Sequence, residues 1–142
     1  INYKTEDVAA VLQKEYPKGI DIAYDSVGGK IYDAFIDNLA IKGRLVISGY
    51  TSEVGQPWEL VTSPRIYQKL YFRSASVRGF INPQYEAHQP YAAKRLVSMY
   101  QRDELTVFVD ATTFLGLEAI PDAVEHLLSG RNLGKVVVKL DV

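Results

Sequence analysis

Residues that could act as acids, bases or nucleophiles are few in this sequence and widely spaced. The chain has no cysteine, which excludes thiolate nucleophiles, disulfides and Cys-containing zinc sites. Its two histidines, His88 and His126, have no partner at metal-ligand spacing, so solvated surface roles are favoured for both. The chain contains no GxSxG motif, which argues against serine hydrolysis. The sequence therefore predicts no catalytic side chain and no metal ligand.

The segment 25–29 (DSVGG) is a better candidate because of where it lies. It directly follows Ile20–Tyr24, an apolar run with the composition of a buried strand. Ligands of parallel sheets bind beyond the carboxyl ends of the strands. The pair Gly28-Gly29 would let a ligand approach the backbone, although a lone pair is more often structural and no GxGxxG spacing occurs. Asp25 and Ser26 are of interest because they occupy this strand end.

The residues around this segment alternate between strand and helix patterns. Ile31, Phe35 and Leu39 recur at intervals of four, which predicts a helix that Gly43 would end. A second apolar run, Arg44–Ser48, predicts the next strand. Strand, helix and strand in this order predict a parallel sheet, and near-continuous apolar strands are typical of a sheet covered on both faces.

The remaining elements continue this alternation and predict an α/β fold. Helices are expected after a Thr5 cap, after Ser63-Pro64, from Pro90 and over Glu118–Ser129, the last with Val124, Leu127 and Leu128 facing inward. Strands are expected at Ser76–Ile81, Leu105–Val109 and Lys135–Leu140.

The long loop 51–63 and the helix after it carry aromatic side chains that could line a substrate pocket. Loops of this length in compact domains are often functional. Trp58 in the loop and Tyr67 in the helix are therefore candidates for an apolar substrate wall. For Tyr67, packing in the core is an equal alternative.

Length and composition fit a soluble globular chain and exclude several classes of partner. With 142 residues, 47% hydrophobic content and a net charge of −1, the chain can bury a sizeable core. Lysine and arginine are scattered, so no nucleic-acid surface is predicted. No apolar run approaches the ~20 residues that span a bilayer, so no membrane partner is predicted. The chain begins at Ile1 without an initiating Met, and we expect a fragment or processed product of a longer protein.

Four blocks spread along the chain carry a recognisable pattern. They are residues 1–4 (INYK) with 24–29 (YDSVGG), 42–50 (KGRLVISGY), 74–80 (SASVRGF) and 114–140 (FLGLEAIPDAVEHLLSGRNLGKVVVKL). Together they resemble the medium-chain dehydrogenase/reductase superfamily, and within it the zinc-free, NADPH-dependent reductases of the prostaglandin reductase group. The similarity runs the length of the chain.

The resemblance implies a fold and a domain organisation. Residues 1–105 would form the C-terminal half of a Rossmann-type parallel sheet, with strands 4 to 6 of the order 3-2-1-4-5-6 and their flanking helices. Residues 106–142 would return to a GroES-like catalytic domain. The first strand and its Gly-rich turn, which seat the pyrophosphate, would lie upstream.

The resemblance also implies NADP(H) as cofactor and a set of residues that contact it. Tyr3 matches a tyrosine at the ribose that bears the 2′-phosphate, Ser26 a small polar residue at the nicotinamide ribose, and Asn132 a late asparagine that reaches the cofactor. The matches at strand ends are Ser48, Gly49 and Tyr50 along the cofactor, and Phe80, Ile81 and Asn82, whose backbone would face the nicotinamide carboxamide. Val54 departs from the tyrosine that relatives often carry there.

The implied activity is hydride transfer from NADPH to the carbon–carbon double bond of an enone. The substrate would be a 15-oxoprostaglandin-like, quinone-like or other α,β-unsaturated carbonyl compound, and the 142 residues alone would be inactive. The alternative is a non-catalytic nucleotide-binding or structural protein on the same fold. The expected location is the cytoplasm, with the peroxisome as the alternative, and a homodimer is left open.

Overall fold

Strands and helices alternate along the chain, as the sequence pattern predicts. The computed structural model describes residues 1–55, 57 and 64–140. They form two compact units, Ile1–Tyr85 and Glu86–Val142. The α/β fold class is confirmed. The division expected between residues 105 and 106 refers to the domains of a longer protein and stays a prediction.

The described residues of the first unit form a three-stranded parallel sheet and three helices. The strands, in spatial order, are β1 (Ile20–Asp25), β2 (Leu39–Ile47) and β3 (Ser76–Gly79). The helices are α1 (Val8–Glu15), α2 (Gly29–Asp37) and α3 (Ile66–Tyr71). Both strand pairs are parallel, with Tyr24 opposite Val46 and Val46 opposite Arg78. The carboxyl ends of all three strands therefore lie at one edge of the sheet.

The core of this unit lies between α2 and one face of the sheet. Leu45 of β2 is fully buried, and Ala23 of β1 and Ile36 of α2 pack with it at 5% and 2% exposure. On the opposite face of β1, Ile22 and Tyr24 are each 64% exposed. The prediction that both faces of the sheet are covered is therefore wrong for the described part of the chain.

Two predicted helix boundaries are corrected by local contacts. Helix α1 is capped by Asp7 instead of Thr5, because the Asp7 carboxylate accepts a hydrogen bond from the Ala10 N–H at 3.0 Å. Gly43 does not end α2: the helix stops at Asp37, and Gly43 lies inside β2. A side chain at Gly43 would place its Cβ 2.9 Å from the Ile20 carbonyl oxygen, so glycine allows the two strands to approach.

Helix α3 is attached to the core by one apolar and one charged contact. Leu70 packs against the core cluster, and the Lys69 ammonium lies 2.6 Å from the carboxylate of Asp37 at the end of α2. The helix begins at Ile66, and its predicted cap, Ser63, lies outside the described residues.

Over residues 86–140, the described part of the second unit, there are two helices and a short parallel strand pair. The helices are α4 (Gln89–Gln101) and α5 (Ile120–Leu128), and the strands are β4 (Phe114–Leu115) and β5 (Val138–Lys139). The strand predicted at Leu105–Val109 is wrong except for a single bridge between Val109 and Lys135. The final strand is shorter than predicted.

The inward face predicted for α5 is also corrected. Val124, Leu127 and Leu128 are 48%, 50% and 80% exposed, whereas Ala123 is 4% exposed. Gly130 follows the helix with a φ of 63°, as expected for a glycine that ends a helix. Across the described ranges, no helix has both the length and the apolar character that a membrane crossing requires.

Candidate functional site

The carboxyl ends of β1 and β2 lie side by side. Ser48 donates hydrogen bonds to the Asp25 carbonyl oxygen from its N–H at 2.7 Å and from its Oγ at 3.2 Å. A Cβ on Gly49 would lie 2.9 Å from the Ser26 carbonyl oxygen, so the two backbones meet at a distance that only glycine allows. The predicted adjacency of Ser26 and Gly49 is confirmed.

An open crevice of about 420 Å³ lies beyond the ends of β2 and β3. Five of the nine predicted cofactor residues line it: Ser48, Gly49, Tyr50, Phe80 and Ile81. The other described lining residues are Ile47, Gly79 and Gln84. The Phe80 N–H donates to the Ile47 carbonyl oxygen at 2.8 Å, which continues the pairing of the two strands past Gly79. The Phe80 ring also stacks on Tyr85, with centroids 4.8 Å apart. The wall of the crevice formed by Phe80 is therefore held from two sides.

Asp25 shapes the turn that follows β1. The residue is 1% exposed, and its Oδ1 accepts hydrogen bonds from the N–H groups of Val27 and Gly28 at 2.8 and 3.1 Å. Its Oδ2 is buried without a hydrogen-bond partner among the described residues, an uncommon arrangement for a carboxylate. Burial, and then the negative charges of Asp33 and Asp25, raise the pKa of Tyr32. The sequence indicated the position of Asp25, and the structure adds its role in fixing the turn.

The turn Thr51–Glu53 after β2 contacts the segment after β1. Thr51 donates from its N–H and its hydroxyl to the Ser26 carbonyl oxygen, each at 3.2 Å. Ser52 donates to the Val27 carbonyl oxygen from its N–H at 2.9 Å and its hydroxyl at 2.6 Å. Sequence reasoning missed this arrangement, because no local pattern links positions 25 residues apart.

The other predicted site residues are more dispersed. Tyr3 is 65% exposed and lines a separate cavity of about 320 Å³ formed by residues of α1 and α2. Asn82 begins a 3₁₀ turn, Asn82–His88, and follows Ile81 at the crevice. Tyr67 is 61% exposed on α3 and is not among the described residues that line the crevice.

Two predicted residues cannot be assigned to the crevice of the first unit. Asn132 belongs to the second unit, where its side-chain amide donates to the Gly134 carbonyl oxygen at 2.9 Å. Trp58 lies outside the described residues.

A polar cluster around Asp110 in the second unit was not predicted. Asp110 Oδ1 accepts from the Thr112 N–H at 3.0 Å and lies 3.1 Å from His126 Nε2, while Oδ2 accepts from the Leu133 N–H at 2.7 Å. Hydrogen bonds from Thr112, the Leu133 N–H and His126 hold the pKa of Asp110 well below its usual range. With 16% exposure, the His126 side chain is not the solvated group expected. The separation of 16 positions between Asp110 and His126 hides this cluster from sequence reasoning.

Comparison with known proteins assigns the class. The family described as zinc-binding dehydrogenase matches residues 1–138, and the chain belongs to this family. The predicted membership of the medium-chain dehydrogenase/reductase superfamily is confirmed. In the described part of the chain, no group of three or more His, Cys, Asp or Glu side chains fits a metal ion, so no chemistry is derived through zinc.

Individual relatives narrow the comparison. Prostaglandin reductase-3 of Mus musculus is 40% identical over 148 residues, which cover 99% of this chain and 39% of that protein. A probable quinone oxidoreductase of Leishmania amazonensis is 35% identical over 144 residues, 99% of this chain and 42% of that protein. The crystal structure of CurA from Vibrio vulnificus in complex with NADPH superposes with a TM-score of 0.82 at 28% identity, covering all of this chain and 43% of that one. The chain thus spans about two fifths of the length of these relatives.

Proposed function

We propose that this chain supplies part of the NADPH site of a reductase that acts on the carbon–carbon double bond of an enone or quinone. The observation that carries the proposal is the meeting of the β1 and β2 ends at Ser26 and Gly49, beside a crevice lined by five predicted cofactor residues. The names of the relatives, a prostaglandin reductase and a quinone oxidoreductase, and the NADPH complex of CurA support it.

The size and lining of the crevice suit one half of a dinucleotide. A volume of about 420 Å³ is near the lower end of ligand pockets, so the crevice fits a nicotinamide and its ribose better than a whole cofactor. Ile47, Phe80 and Ile81 offer apolar surface to a ring, and Ser48 and Gln84 add polar groups to the lining. These residues fit the nicotinamide half.

The residues of this chain would bind and orient the cofactor. When bound, NADPH supplies the hydride, and the protein determines its position and surroundings. The backbone of Phe80, Ile81 and Asn82 would hold the carboxamide, and the apolar lining would exclude water from the nicotinamide ring. No catalytic side chain is assigned to the described residues, because positioning of the cofactor is the contribution that their geometry supports.

Six predicted residues are not among the described residues that line the crevice and stay proposals: Tyr3, Ser26, Asn82, Asn132, Trp58 and Tyr67. Asn132 stays a proposed cofactor contact, and Trp58 and Tyr67 stay the proposed substrate wall. For Tyr3 the proposed contact with the ribose that bears the 2′-phosphate meets an electrostatic obstacle. Carboxylates from the residues just before α1 and from α2 line the cavity beside Tyr3, and they would repel a phosphate placed inside it. The carboxylates are Glu6, Asp7, Asp33 and Asp37, with Lys30 as the cation of that lining.

A fluorescence titration of the intact protein with NADPH, followed by assays with cyclohexenone and benzoquinone, tests the proposal. Binding with turnover supports the reductase. Binding without turnover favours the non-catalytic nucleotide-binding protein, and absence of NADPH binding overturns both.

The Gly49→Ala variant tests whether the two strand ends form the site. The added Cβ would lie 2.9 Å from the Ser26 carbonyl oxygen and force the strand ends apart. We expect the Kd for NADPH to rise about tenfold, equivalent to ~1.4 kcal/mol. The matched control is Gly55→Ala, where a Cβ meets nothing within 4 Å but the φ of +77° strains the backbone. The control should lose some thermal stability and keep NADPH affinity; equal affinities for both variants would contradict the assignment.

A further inference from the structure

Helix α2 receives its N-terminal cap from a distant turn. The preceding residue, Gly28, has no side chain with which to accept from the first-turn N–H groups, which need acceptors. Glu53, 24 residues after Gly29, provides an acceptor, because its Oε1 accepts a hydrogen bond from the Gly29 N–H at 3.0 Å. A carboxylate at a helix N-terminus is also favoured by the helix dipole. Glu53 thus holds the end of α2 from the turn after β2.

The Gly28-Gly29 pair allows this turn to approach. A Cβ on Gly28 would lie 3.2 Å from both Glu53 Oε1 and Tyr50 Cα, and one on Gly29 would lie 3.2 Å from Ser52 Oγ. The left-handed φ values of the two glycines, 78° and 54°, also disfavour other residues. The two glycines therefore allow the turn Thr51–Glu53 to contact the start of α2. The Glu53 carboxylate occupies the position that a bound anion would take at this helix end.

The same turn is directly continuous with the crevice. Tyr50 lines the crevice and is 61% exposed, and its carbonyl oxygen accepts from the Glu53 N–H at 2.9 Å. Four hydrogen bonds from Thr51 and Ser52 to the carbonyl oxygens of residues 26 and 27 complete the attachment. A displacement of Glu53 would thus reach the crevice through three consecutive residues.

We propose that Glu53 is a positioning residue of the cofactor site. By capping α2 it fixes the turn Thr51–Glu53 and so holds Tyr50 at the crevice in the arrangement that receives the nicotinamide half of NADPH. The cofactor part of this inference rests on the proposed function. The local part, that Glu53 orders residues 26–29 and 50–53, does not.

Two variants of Glu53 separate the hydrogen bond from the charge. Glu53→Ala removes the acceptor, whereas Glu53→Gln keeps a side-chain oxygen that can accept from the Gly29 N–H. In the intact protein we expect Glu53→Ala to accelerate amide hydrogen exchange in residues 26–29 and 50–53 by about tenfold and to raise the Kd and KM for NADPH by about fivefold. The kcat for cyclohexenone at saturating NADPH should fall by a smaller factor than the affinity, because saturation restores occupancy of the site while the bound cofactor is held less firmly.

Glu53→Gln should restore exchange and affinity to within about twofold of the wild type, since the amide oxygen can make the same hydrogen bond. Ser52→Ala, which removes the 2.6 Å bond from the Ser52 hydroxyl to the Val27 carbonyl oxygen, should act in the same direction as Glu53→Ala with a smaller effect. The matched control is Glu15→Ala, which removes an exposed carboxylate at the end of α1 and should change neither measurement.

Three results would overturn the inference. The first is unchanged hydrogen exchange in Glu53→Ala. The second is faster exchange with unchanged NADPH affinity, which would show that the cap is purely structural. The third is failure of Glu53→Gln to restore either property. If the wild-type protein binds no NADPH, the proposed function fails and the cofactor part fails with it. The exchange comparison still decides whether Glu53 orders the turn.

Discussion

The two units of the molecule differ in what stabilises them. In Ile1–Tyr85, apolar side chains form a packed core in which Leu45, Ile36 and Leu39 are at most 2% exposed. In Glu86–Val142, Ala123 is the one apolar residue of the described set that is buried, and the carboxylate of Asp110 contacts three other residues. The first unit therefore depends on apolar burial, and the described part of the second depends more on directional polar contacts.

Replacement of the central core residue should produce the largest effect. Leu45→Ala removes a side chain with no solvent exposure and leaves a cavity, which is expected to lower the free energy of unfolding by about 3–4 kcal/mol. Chemical unfolding monitored by circular dichroism measures it. Ile41→Ala on the same strand, where the side chain is 74% exposed, should cost less than about 0.5 kcal/mol. Similar costs for the two variants would show that Leu45 does not anchor the first unit.

Loss of the Asp110 carboxylate should have an intermediate, pH-dependent effect. The pKa of Asp110 is lowered from its ordinary 3.8 in the folded protein, so the ionised carboxylate stabilises the fold above that value. This stability is lost as the pH falls from about 5 through the ordinary pKa towards the lower folded one. Asp110→Asn should lower the thermal unfolding midpoint by a few degrees at neutral pH, and the difference from the wild type should shrink on acidification.

The control for Asp110 is Asp103→Asn, an exposed aspartate of the same unit whose φ of 57° asparagine also tolerates. Its unfolding midpoint should follow that of the wild type at every pH. If the unfolding midpoints of Asp110→Asn and the wild type differed by the same amount across the acid range, the ionised Asp110 carboxylate would not be the source of the pH-dependent stability.

The exposed ion pair of the second unit should contribute least. Arg102 Nε lies 2.7 Å from Glu104 Oε1, but the two side chains are 55% and 49% exposed, and such pairs are screened by solvent and salt. Glu104→Gln is expected to leave the thermal unfolding midpoint unchanged within error at physiological salt. If Glu104→Gln lowered the unfolding midpoint as much as Asp110→Asn does, solvent exposure would not explain which polar contacts of this unit stabilise it.

Local patterns predicted the alternation of elements because hydrophobic period and glycine positions are properties of neighbouring residues. They failed where a contact with a residue distant in the sequence determines the secondary structure. Leu39 fits the helical period of Ile31 and Phe35, yet it begins β2 because it pairs with Ile20. The inward face predicted for α5 failed for a related reason, since periodicity identifies an apolar stripe but not whether the described chain covers it.

The candidate site was predictable to the extent that sheet topology brings it together. Ser48 and Phe80 follow two neighbouring parallel strands, so both lie at one edge of the sheet. The residues that the resemblance assigns to these strand ends therefore line the same crevice. Glu53 and Asp110 could not be found in this way, because Glu53 contacts a residue 24 positions away and Asp110 contacts residues 16 and 23 positions away, and no local spacing encodes those contacts. Tyr67, assigned as an aromatic residue on the helix after the long loop, is exposed on α3 and is not among the described residues that line the crevice.

The position of β1 has a practical consequence for anyone who produces these 142 residues by themselves. Among the described strands β1 pairs only with β2, so its other side presents a row of free amide and carbonyl groups beside the exposed rings and branched chains of Tyr24 and Ile22. Such a border invites a second molecule to add its own strand, and concentrated preparations would then form oligomers or precipitate. A charged substitution at Ile22 offers a simple route to better-behaved samples.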